Sequence, residues 1–243
     1  MNNVYTTGFS FIIPAYNEER NIRQCIESII MEMKRCVWHN YEIIVVDNNC
    51  TDLTAQIARD AGARVVTEAN KGIVWARSRG ASWASYSHLA NIDADNIMPM
   101  GWGDAALEYL MRPEVVVVSG PLEYTDLGWF KSLVVRSFYA IGKVAHHVIH
   151  PFCQGGNYII RHTVYDRMGG YDTNIPFYGE DTMTAYKAKA FGKIIVDNRL
   201  KIMSSSRRFE GQGLLLTGWL YAINFMSVSF GRRPATNAYR DFR

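Results

Sequence analysis

Phe9-Ser10-Phe11-Ile12-Ile13, closed by Pro14 and followed by Ala15-Tyr16-Asn17-Glu18-Glu19, is the stretch on which the fold turns. The apolar run reads as a strand. The loop after it opens a segment in which Ile22, Ile26, Ile29, Ile30 and Met33 recur at helical spacing. The same unit then repeats: Glu42-Ile43-Ile44-Val45-Val46 runs into Asp47-Asn48-Asn49-Cys50-Thr51-Asp52, with Leu53, Ile57 and Ala61 on one helical face beyond it. A short strand around Arg64-Val65-Val66 leads to Asn70-Lys71-Gly72 and a helix carrying Arg77, and the apolar stretch Leu89 to Ile92 ends at Asp93-Ala94-Asp95. Repeated strand-loop-helix units predict the α/β class, with a mostly parallel central sheet flanked by helices. In open sheets of this kind ligands sit beyond the carboxyl ends of the strands, where these polar groups fall.

Asp93 and Asp95 are two carboxylates one residue apart, and oxygen ligands so placed can hold a hard divalent cation against a diphosphate. Taken alone the pair also reads as a solvated turn. Asp47, at the end of its strand, can accept from a base N–H or a ribose hydroxyl. Lys71 and Arg77 offer cations to a diphosphate, and Gly72 lets the backbone approach a ligand with no Cβ in the way.

In this order Ile12-Ile13-Pro14-Ala15-Tyr16-Asn17-Glu18, Ile44-Val45-Val46-Asp47 through Thr51-Asp52, Lys71-Gly72 with Arg77, Asp93-Ala94-Asp95 and Gly179-Glu180-Asp181 resemble the motifs of family 2 glycosyltransferases. The resemblance covers about residues 8 to 210. It implies the Rossmann-like GT-A fold, a nucleotide-sugar donor, a divalent metal (Mn2+ or Mg2+) and inversion at the anomeric carbon. On the same ground Pro14, Ala15, Tyr16, Glu18, Asp47, Lys71, Arg77, Asp93 and Ala94 belong to the nucleotide-sugar site. Asp93 and Asp95 are then the metal ligands, and Asp181 is the base that deprotonates an acceptor hydroxyl. Burial and the neighbouring charge of Glu180 can raise a carboxyl pKa toward the range useful to a base. The alternative for Glu180 and Asp181 is capping of a helix beginning near Thr182, where negative charge favours the N-terminus.

Gln154-Gly155-Gly156-Asn157 precedes a strand at Tyr158-Ile159-Ile160. Its glycines could let an acceptor lie against the backbone with Asn157 touching it, or could serve a tight turn. Arg207 and Arg208 follow the last strand and could close over a donor diphosphate or an anionic acceptor; the other reading is a solvated basic loop. The Gln-x-x-Arg-Trp motif of the family's processive synthases is absent from this sequence, which favours a single transfer over polymerisation. Asn48 stands where many relatives carry a second acidic residue, so UDP, GDP and dTDP donors all remain candidates.

The 243 residues, 48% hydrophobic, are enough for one substantial core. We expect a GT-A domain over residues 1–210, its nucleotide-binding half at about 8–97 and its acceptor half at about 98–210. A C-terminal amphipathic helical extension over 211–243 follows. With 26 basic against 23 acidic residues the chain balance does not point to nucleic acid. Cys25, Cys36, Cys50 and Cys153 have neither metal-ligand nor disulfide-framework spacing and suit a reducing cytosol. The polar start, Met1 to Gly8, does not read as a signal peptide. Leu214 to Phe230 is an uncharged run of 17 residues between arginine pairs, short against the roughly 20 that span a bilayer. It and Leu127 to Ile149 read as helices that pack on the domain, form a homodimer seam, or lie peripherally on the cytoplasmic face of a membrane. His146, His147 and His150 are expected on the surface or in the acceptor pocket. Three other readings share parts of this pattern: a nucleotidyltransferase, a non-catalytic nucleotide-sugar or membrane-binding module, and a glycosyltransferase acting on nucleic acid.

Overall fold

The computed structural model of the chain describes residues 5–36, 40–175 and 177–236. Strand β1 (Thr6–Ala15) pairs in parallel with β2 (Tyr41–Asp47) on one side and with β4 (Tyr86–Ile92) on the other, and β3 (Arg64–Thr67) continues the sheet past β2. The period of two sends Phe9, Phe11 and Ile13 into the core on one face and Ile12 into the core on the other, all fully buried. A strand covered on both faces needs apolar residues without alternation, which is the pattern the opening stretch shows. Helices α1 (Ile22–Arg35), α2 (Thr54–Asp60) and α4 (Trp102–Leu110) supply the first core, and α3 (Ile73–Trp83) the second. Gly80 lets α3 lie close to the sheet, since a Cβ there would come 2.4 Å from Cγ2 of Ile12.

The remaining sheet strands are β5 (Val115–Ser119), β7 (Asn157–Arg161) and β8 (Lys193–Val196), giving the order β3-β2-β1-β4-β7-β5-β8. Only β7 runs against its neighbours among the described strands. Strands β6 (Leu122–Tyr124) and β9 (Ile202–Ser204) form a separate parallel pair. The chain leaves β1 toward β2 and returns on its other side as β4, so a crevice opens between the carboxyl ends of β1 and β4. Because β7 is reversed, its first residue, Asn157, lies opposite Ile92, the last of β4. The Gln154–Gly156 turn therefore reaches the same crevice.

The further α-helices among the described residues are α5 (Trp129–Val148), α6 (His162–Arg167), α7 (Glu180–Ala188), α8 (Arg207–Gln212) and α9 (Leu214–Ser229). Helix α9 rests on α7 and α8, with ring contacts Phe152–Phe225 at 6.1 Å and Tyr178–Tyr221 at 5.7 Å. Among the described residues no helix is long and apolar enough to cross a membrane.

Two expectations are corrected by packing. Asn157 does not face an acceptor: it is fully buried, its Nδ2 donates to the carbonyls of Gly120 (3.0 Å) and Leu200 (2.7 Å), and its Oδ1 accepts from Trp102 Nε1 at 3.1 Å. It ties the sheet to two loops, and a buried amide needs such partners. His146 and His150 are buried rather than at the surface or in the crevice. His146 Nδ1 accepts from the Phe152 N–H (3.1 Å), leaving Nε2 to donate to the Ile194 carbonyl (3.3 Å). The side chain of His147 lies outside the described residues.

Glu32 is a buried carboxylate that no periodicity announces. It accepts from the backbone N–H of Gly101 (3.0 Å) and Gly103 (2.8 Å) at the start of α4, and from Arg35 at 2.9 Å. It thereby meets the orphan donors and positive end of α4 from a neighbouring helix. Glu32→Ala should cost about 2–4 kcal/mol, because those donors and the guanidinium lose their acceptor. Urea unfolding checks this, and a loss under about 1 kcal/mol would refute the arrangement.

Candidate active site

The crevice is lined by the end of β1 (Pro14, Ala15) and the loop after it (Tyr16, Glu18), by Lys71 and Arg77, by Asp93-Ala94-Asp95 and by Gly155, Glu180, Asp181, Arg207 and Arg208. Residues as far apart in sequence as Pro14 and Arg208 thus share one cavity.

The loop after β1 is set by Asn17, which takes a left-handed φ of 52° and accepts from the Thr51 N–H at 2.8 Å through its side chain. Glu18 follows, its own N–H donating to Thr54 Oγ1 at 2.7 Å, and its carboxylate turns into the crevice to accept from Asn21 and Arg207. The Lys71 ammonium sits 4.0 Å from the centre of the Tyr16 ring, a cation–π contact that fixes both at the mouth of β1. Asn48 holds the Lys71 loop in place: its Nδ2 donates to the carbonyls of Glu68 (3.0 Å) and Asn70 (2.8 Å), and its Oδ1 accepts from the Gly72 N–H (2.8 Å). With both ends of the amide engaged, Asn48 is a clamp. Asp47 lies at the edge, outside the residues lining the crevice, with Oδ1 accepting from the Cys50 N–H at 2.9 Å.

Arg77 departs from the diphosphate contact expected of it. Its guanidinium is 1% exposed and forks between Asp93 Oδ1, at 2.9 Å, and Glu180 Oε1, to which Nη1 donates. A buried guanidinium keeps its charge and seeks carboxylates, so Arg77 joins the end of β4 to the start of α7. Gly156 makes room for this: at φ +79° it tolerates a left-handed backbone, and a Cβ there would stand 2.3 Å from Asp93 Oδ2. Gly156 itself is not among the lining residues; Gly155 is, and its N–H donates to Asp181 Oδ2 at 3.0 Å.

Arg207 Nη2 lies 2.9 Å from Asp95 Oδ2 and also donates to Glu18. Burial pushes the Asp95 carboxyl up to about 6, assisted by the charges of Asp93 and Glu18 and opposed by Arg207. Burial likewise raises Glu180, against the pull of Arg77. Asp181 is raised by burial although its oxygens accept from the Thr182 N–H (2.7 Å) and Gly155. The first of these bonds is the helix-end contact the capping reading expected, and it leaves Asp181 facing the crevice all the same.

Tyr124, Phe177, Tyr178, Phe209 and Tyr221 form an aromatic wall of the crevice, with ring contacts Tyr124–Phe209 (4.9 Å), Phe177–Tyr178 (5.1 Å) and Tyr178–Tyr221 (5.7 Å). Arg208 stacks over Phe177 with Cζ 4.3 Å from the ring centre. Sequence motifs do not flag this wall, though Phe177 and Tyr178 stand immediately before Gly179-Glu180-Asp181.

Among the described residues no three His, Cys, Asp or Glu side chains are grouped so as to hold an ion by themselves. The Asp93/Asp95 corner still fits a hard cation accompanied by a ligand's phosphates, because its donors are carboxylate oxygens and the acids Asp93 and Glu18 both act on Asp95.

The fold is shared with solved glycosyltransferases. Over 94% of its length the chain is similar to a mannosyltransferase from Pyrobaculum calidifontis solved with GDP-Man and Mn2+, at a TM-score of 0.73 and 20% identity, covering 64% of that protein. It also resembles glucosyl-3-phosphoglycerate synthase from Mycobacterium tuberculosis, solved with Mn2+, UDP-Glc and phosphoglyceric acid, at a TM-score of 0.68 and 21% identity; the match covers 94% of this chain and 81% of that one. In sequence, 37% of the chain is 34% identical to the uncharacterized glycosyltransferase YibD of Escherichia coli, over 27% of that protein. A further 38% identity joins 37% of the chain to 24% of the 4,4'-diaponeurosporenoate glycosyltransferase of Staphylococcus haemolyticus. The chain thus matches about a quarter of the length of these two curated relatives. The sequence model of Glycosyl transferase family 2 matches residues 10–169, well over half of the chain, and the chain belongs to that family.

Proposed function

We propose that the protein moves one sugar from a nucleoside diphosphate donor to an acceptor hydroxyl with inversion at the anomeric carbon. The observation that carries this reading is the convergence of Asp93, Asp95 and Asp181 with Lys71, Arg207 and Arg208 on one crevice at the β1/β4 switch point.

The nucleoside lies across the loop Pro14 to Glu18, with Asp47 at the edge for the base or ribose and UDP, GDP and dTDP as candidate donors. Lys71, already beside Tyr16, and the two arginines after β9 face the diphosphate. Asp93 and Asp95 would hold Mn2+ or Mg2+, which when bound supplies positive charge to the leaving diphosphate. Arg77 holds the Asp93 carboxylate in place from behind and leaves the phosphate contacts to the other cations. Arg207 spans Glu18 and Asp95, so it neutralises that corner and is near enough to turn to a phosphate.

Asp181 takes the acceptor proton on a carboxylate oxygen as the acceptor oxygen bonds to the anomeric carbon. The bond from that carbon to the diphosphate breaks on the opposite face. Gly155 and Thr182 fix the orientation of the Asp181 carboxylate, and burial offsets the loss of basicity their N–H groups impose. The aromatic wall receives the apolar faces of the acceptor.

Asp181→Asn should retain nucleotide binding and lose transfer by about a hundredfold or more, the usual contribution of a positioned base. Parallel calorimetry and turnover assays measure both, and unchanged turnover would sink the assignment. The pH profile of kcat tests the same residue independently. A base must be deprotonated to act, and Asp181 is raised from its ordinary value, so kcat should fall as pH drops with an inflection above about 4. A kcat flat down to that pH would contradict the role.

A further inference from the structure

Helices α5 and α9 are built with their apolar sides outward. On α5, Val135 and His146 face the protein and are buried, while Trp129, Phe130, Leu133, Ile141, Val144 and Val148 are exposed, Trp129 by 81%. These six recur at helical spacing along one stripe, and it points away from the core. On α9 the buried face is mixed, with Leu220 and Val228 beside Thr217 and Asn224. Thr217 and Asn224 are buried, with Thr217 Oγ1 donating to the Gly213 carbonyl (2.8 Å) and Asn224 Nδ2 to Leu220 O (2.7 Å) and Thr236 Oγ1 (2.8 Å). Leu215, Leu216, Trp219, Met226 and Phe230 are exposed instead. The two helices lie side by side, for a Cβ at Gly218 of α9 would come 2.9 Å from the Phe138 ring of α5. They therefore present one apolar surface, larger than scattered exposed side chains and of the kind that marks an interaction site.

Charge identifies what this surface meets. Residues 127–149 and 211–236 contain no Asp or Glu, and carry Lys131, Arg136, Lys143, Arg232 and Arg233. The rest of the chain is left with 21 of the 26 basic residues against all 23 acidic ones, a net negative balance. Arg136 is 3.9 Å from Glu123 but 78% exposed, so it too is available to a partner. Two copies of the chain joined through this face would set cations against cations, whereas an anionic lipid surface complements both the apolar stripe and its basic border. Spanning is not an option. Helix α9, at 16 residues, is about 24 Å long against roughly 30 Å of hydrocarbon, and α5 carries three cations along its length.

We propose that the α5/α9 face docks in the plane of a bilayer bearing anionic headgroups, with its Trp129 and Trp219 side chains at the headgroup boundary. Tyr221 of α9 is also part of the crevice wall, so the docked helix borders the cavity. Resting on the glycosyl-transfer reading, the acceptor is then an amphiphile anchored in that bilayer whose head group enters past Tyr221.

Co-sedimentation with vesicles of phosphatidylcholine, alone and mixed with phosphatidylglycerol, tests the docking without any donor or acceptor. The protein should pellet with the mixed vesicles, and less so as salt is raised. Lys131→Glu combined with Arg232→Glu should lower that binding by about tenfold or more. Leu215→Glu combined with Trp219→Glu should abolish binding to both compositions, with an unchanged melting temperature showing that these exposed positions left the fold intact. A wild-type protein that stays in the supernatant with both vesicles would overturn the proposal, as would variants that bind like wild type. So would a dimer that these substitutions dissociate in the absence of any lipid binding. Retained binding of UDP or GDP in such a failure would remove the membrane surface alone and leave the glycosyltransferase reading standing.

Discussion

A single buried guanidinium joins the end of strand β4 to the start of helix α7. Arg77, on the helix that packs under the β1/β2 side of the sheet, reaches Asp93 at the end of β4 and Glu180 at the start of α7, residues separated from it by 16 and 103 positions. Burying such a group is costly unless charged acceptors surround it, and breaking the set by removing one member leaves an uncompensated charge. The arrangement thus fixes the distance between Asp93 and the start of α7. In the proposed reaction that spacing sets where Asp93 and Asp95 would face a diphosphate and Asp181 an acceptor, and a Cβ at Gly156 would collide with the Asp93 carboxylate.

The electrostatics of the crevice have the same origin. Five carboxylates, Glu18, Asp93, Asp95, Glu180 and Asp181, share it with Lys71, Arg77, Arg207 and Arg208. Arg77 and Arg207 are each committed to a pair of acids, and burial raises the affinity of Asp95 and Asp181 for a proton. A site so balanced suits a ligand that brings phosphates and a metal together, since each alone would worsen the charge of one half.

Much of this was legible in the residues. The apolar runs that end at Pro14, Asp47 and Asp93 identify the sheet strands, because a strand covered on both sides must be apolar throughout, and their ends place the site. What lay beyond reach were partnerships across the fold. Nothing near Arg77 in sequence indicates Glu180, nothing near Asn48 shows that its amide is spent on the Lys71 loop, and Asn157 offers the same polar group whether it faces a ligand or braces two loops and helix α4. The sign of helix α9 is a subtler case. Its residues are apolar almost throughout, and only packing shows that Thr217 and Asn224 are buried together with Leu220 and Val228 while Leu215 and Trp219 are exposed.

The central claim is that the crevice at the carboxyl ends of β1 and β4 binds a nucleoside diphosphate through a divalent cation at Asp93 and Asp95. Isothermal titration of the protein with UDP, GDP and dTDP, each with Mn2+ and with a chelator, tests it most directly. The account predicts that at least one of the three binds in Mn2+ and loses at least about tenfold in affinity when the metal is removed. Equal affinity with and without metal, or no binding of any of the three, would contradict it.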